Sequence, residues 1–144
     1  MLHAKIIDSK KQKIEIRKAE EFLKSSKFGA LIYFVGTVRN VNDNKNVASI
    51  DLEVYPEMAE KSLSEICDKA IKKWELIDIL VIHRFGALSV NQKIVLVATF
   101  AIHRHDSMAA CNFIMDYLKN DAPFWKKEYY DNDYKWLQNT TKTI

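Results

Sequence analysis

A chain of 144 residues with 48% apolar and 28% charged residues can bury one core, and it reads as a single domain over 1–144. A net charge of +3 is small for a dedicated nucleic-acid binder, so any positive patch must be local. No stretch approaches the roughly 18 apolar residues that cross a bilayer, and Met1 to Asp8 lacks the apolar centre and cleavage site of a signal peptide, so a cytoplasmic protein is expected. Cys67 and Cys111 have no CxxC spacing and sit among apolar neighbours, which points to reduced thiols rather than a metal site.

Residues 3–8 and Ile14–Ile16 read as short strands, the second leading into an amphipathic helix over 17–25 with Ala19, Phe22 and Leu23 inward. Residues 28–38 are apolar on both alternations, which predicts a central strand buried on both faces. That strand ends in Gly36-Thr-Val-Arg39, and the polar run 40–46 reads as a mobile loop. Residues 48–55 alternate as a strand with one wet face. Pro56 suits the first turn of a helix to about Trp74, with Met58, Leu63, Ile66, Cys67, Ala70 and Trp74 inward.

Residues 77–83 and 93–103 form two apolar runs that can pair as a hairpin, joined by 85–91 and ending in His83-Arg84 and His103-Arg104-His105. A helix follows over 107–118, with Asp106 or Ser107 as N-cap and Cys111, Ile114 and Leu118 inward. Pro123 cannot continue that helix and pushes Ala122 out of helical geometry, so the chain restarts at Phe124 in a new direction. Lys119 and Lys126 can therefore converge across the break. Beyond them Trp136 docks and 137–144 form a flexible tail. This order of elements predicts α+β with a mixed, mostly antiparallel sheet.

No glycine-rich phosphate loop, HExxH, nucleophile elbow or Cys/His cluster occurs. What remains is cationic: Arg39, His103, Arg104, Lys119 and Lys126 can make a pocket for an anion. A lysine acting there as a base must lose its proton, which burial and neighbouring cations both favour. A lysine that stays charged would stabilise developing negative charge.

Gly36-Thr-Val-Arg39, Leu52-Glu-Val-Tyr55 with Met58-Ala59, Val81-Ile-His-Arg-Phe-Gly86, Ile102-His-Arg104 and Met115-Asp-Tyr-Leu-Lys-Asn-Asp-Ala-Pro-Phe-Trp-Lys-Lys-Glu128 together resemble the large, catalytic subunit of molybdopterin synthase, in order from about 28 to 136. The resemblance implies an α/β hammerhead-type fold. It also implies sulfur transfer to cyclic pyranopterin monophosphate, forming the dithiolene of molybdopterin without a metal or other cofactor. The sulfur donor would be a small ubiquitin-like subunit whose C-terminal Gly-Gly carries a thiocarboxylate, docked at each end of a dimer of large subunits. By position, Lys119 matches the lysine nearest the carrier's terminal glycine and Lys126 the second essential lysine. Arg39, His103 and Arg104 match residues that bind phosphate and pterin, the latter two reaching in from the other protomer. Phe34, Met115 and Pro123 match pocket walls. Ile102 departs from the family's small residue, and residues 138–141 lack its C-terminal basic residue, for which Lys142 is the candidate.

Two other readings compete. One is a non-catalytic anion-binding or partner-docking module of the same fold, against which the intact Lys119 and Lys126 count. The other is an RNA-binding domain stacking bases on Tyr129 and Tyr130 between lysines; Asp121, Glu128, Asp131 and Asp133 oppose it.

Overall fold

One strand of 12 residues, β6 (Asp78–Ser89), serves two sets of partners. The computed structural model describes residues 2–8, 12–21, 29–42, 44–131 and 133–137. Along 78–83, β6 pairs antiparallel with β7 (Lys93–Ala101), while its other edge takes β1 (Leu2–Asp8) in parallel. Along 86–89 it pairs antiparallel with β5 (Ser49–Val54). The change of partner falls at Gly86, whose φ of 93° is a conformation side chains disfavour. Phe85-Gly86 thus bends a strand instead of ending it, and the turn to β7 comes later, at Asn91 (φ 72°).

The sheet runs β2 (Ala30–Thr37), β7, β6, β5, β8 (Phe124–Tyr129), β9 (Tyr134–Leu137), with β1 alongside β6. Two long helices, α2 (Pro56–Trp74) and α3 (Arg104–Asn120), share one core with the sheet through Leu63, Cys67, Ala70, Ala110, Ile114 and Leu118. The opposite face buries Leu80, Ile82, Leu96, Ala98 and Phe100 with Ile14 and Ala19. Strands covered on both faces must be apolar at every position, which explains the unbroken runs in β6 and β7. The class is α+β with a mostly antiparallel sheet, as expected.

α2 begins at Pro56 and ends against Glu75 in the left-handed region (φ 51°). Its inward face differs at one place: Ala59 is buried and Met58 is exposed. α3 begins three residues before the expected cap, after His103, which makes no side-chain cap bond. Ser107 is instead a buried tie to β7: its hydroxyl donates to Thr99 O at 2.6 Å, while Thr99 Oγ1 donates to Ser107 O at 2.6 Å.

Three other expectations fail. Among the described residues β2 is an edge strand, paired only with β7, and Tyr33 and Phe34 are 45% and 36% exposed. Apolar alternation reports that a face is to be covered, not what covers it. Ile14–Ile16 form no strand, because β1 already occupies the edge of β6; Ile14 plugs the second core just before the short α1 (Arg17–Glu20). The rest of the expected helix, 22–25, lies outside the described residues, as does the tail from 138. Within 40–46 the chain forms a hairpin of β3 (Val41–Asn42) and β4 (Lys45–Asn46).

Candidate active site

The break at Pro123 does what its chemistry requires. Asp121 N and Ala122 N both donate to Tyr117 O, at 2.9 and 3.0 Å, closing the C-terminus of α3 one residue after Lys119's turn. Phe124 then starts β8 antiparallel to β5, with Lys126 opposite Leu52 and Glu128 opposite Ile50. Alternation along β8 puts Phe124, Lys126 and Glu128 on one face and Trp125, Lys127 and Tyr129 on the other.

The two faces treat their lysines differently. Lys127 Nζ stands 3.9 Å from the ring centre of Tyr134, 5.2 Å from Tyr129 and 5.4 Å from Trp136, so its charge is spent on an aromatic surface. Beside it, Tyr55, Trp125 and Trp136 border a groove of about 410 Å³ with Glu53 as its charged residue. That groove is larger than the cleft at Lys126, yet its charge is wrong for an anion. Trp136 lies in β9 and is 46% exposed, so it lines this groove rather than docking into the core.

Lys126 faces a smaller cleft lined by Thr37, Val38, Arg39, Asn42, Ile50, Ile94 and Glu128. Its amine is pushed down to about 8, first by burial and then by the charges of Arg39 and Lys119, against the opposing pull of Glu128. The structure therefore brings Lys126, Arg39 and Lys119 into one electrostatic site, from β8, the loop after β2 and the last turn of α3.

Behind them lies His83 of β6, buried and tilted against the Phe124 ring at 4.2 Å. Its Nδ1 is 2.8 Å from Arg84 O, and a carbonyl can only accept, so Nδ1 carries the proton. Burial chiefly, with Lys126 as a like charge, lowers its pKa to about 4. The Arg84 guanidinium is buried as well, donating to Lys93 O at 3.0 Å. His83 belongs to the scaffold behind the cleft, whereas Arg84 lies on the other face of the sheet, beside Lys13 and Ile14.

The other expected site residues are dispersed. His103 and Arg104 are exposed at the opposite end of α3; at 1.5 Å per residue, Arg104 stands about 22 Å along the helix from Lys119. Phe34 is on the exposed edge strand, Met115 is buried in the main core and Pro123 is half-buried at the break. Lys142 lies outside the described residues.

Sequence reasoning missed Glu128 and Asn42. Glu128 is 5% exposed, and both its carboxylate oxygens accept from Asn42 Nδ2 at 3.1 Å. The Lys126/Glu128 spacing of two would have paired them on one face had 124–129 been read as a strand. Nothing local singles out Asn42.

Among the described residues no cluster of His, Cys, Asp and Glu could hold a metal, and no helix is long and apolar enough to cross a membrane. Cys67 and Cys111 are unbridged and buried, their thiols pushed up to about 12 and 11.

Comparison with known proteins bears on the chain's family. The family model described as "MoaE protein" matches residues 9–121, which takes in Arg39 and Lys119 and stops short of Lys126. A protein of Ralstonia nicotianae named molybdopterin synthase catalytic subunit is 52% identical over 109 residues, 76% of this chain and 62% of that protein. The chain thus spans less than two thirds of that relative. A Vibrio cholerae protein of the same name is 46% identical over 131 residues, 89% of this chain and 87% of its own. The crystal structure of molybdopterin synthase from Staphylococcus aureus superposes with a TM-score of 0.84 at 30% identity, covering 93% of this chain and 96% of that one. With a family match over most of its length and relatives this similar, the chain belongs to the MoaE protein family, the molybdopterin synthase catalytic subunits that its motifs resemble.

Proposed function

We propose that this chain, folding as one domain and working in the cytoplasm, is the catalytic subunit of a molybdopterin synthase. It transfers sulfur from the thiocarboxylated C-terminus of a small ubiquitin-like carrier to cyclic pyranopterin monophosphate. The observation that carries this reading is Lys126: a half-buried amine, lowered to about 8 by burial, Arg39 and Lys119, in the lining of a cleft.

The reaction brings two anions together, a phosphate ester and a thiocarboxylate. Cations preorganised in a partly dry site lower the cost of that encounter and stabilise charge as it builds on the carbonyl under attack. Arg39 and Lys126 hold the substrate phosphate. An ammonium titrating near 8 binds an anion at neutral pH and can still pass on its proton. Lys119, at the rim formed by the end of α3, stabilises the tetrahedral species at the carrier's terminal glycine.

His103 and Arg104 complete the pocket only from a second copy, since α3 holds them about 22 Å from Lys119 within one chain. The exposed Tyr33 and Phe34 on edge strand β2 suit such a dimer, because apolar edges call for a cover. Met115 and Pro123 support the break from behind. The alternative, a non-catalytic docking module, has no need of a depressed amine. Against the RNA reading, Tyr129 is stacked under Lys127 and Tyr130 under Lys45.

Single-turnover conversion of cyclic pyranopterin monophosphate with thiocarboxylated carrier is the test. Wild type is expected to form the dithiolene, and Lys119→Ala to lose about a hundredfold or more in rate while still binding carrier. A stable complex without product would favour the docking module; wild-type turnover by Lys119→Ala would remove that lysine from the chemistry.

A further inference from the structure

The lining of the Lys126 cleft contains a polar contact, between Asn42 and Glu128, that the sulfur-transfer reading does not call for. Hairpin β3–β4 is short, two residues a side, and closes through Asn44 in the left-handed region (φ 64°). Its base is closed by Val47 N donating to Asn40 O at 2.8 Å and tied to β8 by Ala48 N donating to Tyr129 O at 2.9 Å. Two side chains reach from it toward β8: Lys45 Nζ stands 5.1 Å from the Tyr130 ring centre, and Asn42 Nδ2 sits equidistant, at 3.1 Å, from the two oxygens of Glu128.

Glu128 is not an ordinary surface acid. It is 5% exposed, and a buried carboxylate is costly unless its oxygens receive hydrogen bonds. It also shares the inward face of β8 with Lys126 and is the acid that acts on that amine. The groups facing Lys126 are Glu128 from its own strand, Arg39 from the loop after β2, Lys119 from α3 and His83 from β6. Among these Glu128 alone favours the protonated amine. Whatever occupies its oxygens therefore weighs on the proton at Lys126.

We propose that Asn42 is a positioning residue for Lys126: its carboxamide clasps the Glu128 carboxylate, fixes hairpin β3–β4 as a wall of the anion cleft, and draws off negative charge that would otherwise hold the Lys126 proton. The proposal rests on reading this cleft as the transferase site, and it assigns a role to a residue outside the lysines and arginine that meet substrate. Asn42 acts through Glu128 and does not touch the reacting atoms.

The clasp is tested on the full chain without substrate, by NMR titration of the lysine side-chain amines. Asn42→Ala is expected to raise the Lys126 midpoint by about half a unit or more, because the released carboxylate is a stronger partner for the ammonium. Asn42→Asp, which sets a second carboxylate against Glu128, is expected to raise it further. In a Glu128→Gln background, Asn42→Ala should add no shift. The pH profile of single turnover should move with the amine in each variant.

An unchanged Lys126 midpoint in Asn42→Ala overturns the proposal. So does an equal shift in the Glu128→Gln background, which would mean that water entering a loosened hairpin moves the amine without the carboxylate. The titration requires no turnover, so a protein whose amines respond as expected but which forms no dithiolene would overturn the functional reading and leave the clasp standing.

Discussion

Lys126→Ala is expected to lower single-turnover dithiolene formation by about a hundredfold or more, while Lys126→Arg restores substrate binding far better than rate. The argument starts from burial. An amine on β8 that is largely removed from water and stands near Arg39 and Lys119 titrates at about 8 instead of 10.5. Alanine removes both the cation and the exchangeable proton; arginine keeps the cation but cannot titrate in the working range. The pH dependence follows with a definite sign. As pH rises through 8 the wild-type cleft loses a positive charge, so KM for the phosphate-bearing substrate should climb, and in Lys126→Arg that climb should disappear. Between 8 and 10.5 the folded chain binds fewer protons at this site than the unfolded chain, so the ammonium opposes folding at neutral pH and the opposition fades as pH rises. A bound phosphate reverses it. Calorimetry in buffers of different ionisation enthalpy should accordingly detect proton uptake on substrate binding near pH 8–9, and binding without uptake would sink this account.

The second large effect is on stability in mild acid. His83 is neutral in the fold with its pKa lowered from 6.5 to about 4, chiefly by burial. Below 6.5 the unfolded chain gains a proton there that the folded chain refuses. Stability should therefore fall as pH drops from 6.5 toward 4, by about 3 kcal/mol in order of magnitude from this site. His83→Gln keeps a neutral donor for Arg84 O and cannot charge, so it should be less stable than wild type at pH 7 yet flatter across the window. Urea midpoints measured from pH 4 to 7 decide this. Parallel slopes for the two proteins would show that the acid sensitivity lies elsewhere. Because the His83 ring rests on Phe124, two residues before Lys126, acid should loosen the cleft before it unfolds the chain, and the same titration followed on Lys126 would register it.

What could be read from the sequence divides along physical lines. α2 was legible to its first residue, because proline at the first turn and an apolar stripe over five turns are local signals that tertiary contacts do not override. The Pro123 break was legible for the same reason, and with it the convergence of Lys119 and Lys126. β6 and β7 were recognisable as buried partners, but Gly86 was not recognisable as a bend inside one strand, since its positive φ serves a turn and a bend equally well. The edge position of β2 was hidden because its apolar faces carry no mark of whether this chain or another covers them. Lys126 and Lys127 are adjacent and identical in type. Only the register of β8 against β5 sends one into the cleft and the other onto Tyr134. The Asn42–Glu128 contact spans 86 positions, beyond the reach of any local pattern.

The length of α3 has a genetic consequence. If each complete pocket joins the Lys119 end of one copy to the Arg104 end of another, a dimer holds two pockets and every chain gives half of itself to each. A chain disabled at Lys119 and a chain disabled at Arg104 would each be inactive alone, yet a mixed dimer of the two would hold one pocket with both defects and one with none. Co-expressed, such alleles should complement, with activity rising from near zero to at most about half of wild type per mixed dimer, whereas two alleles both altered at Lys119 should not.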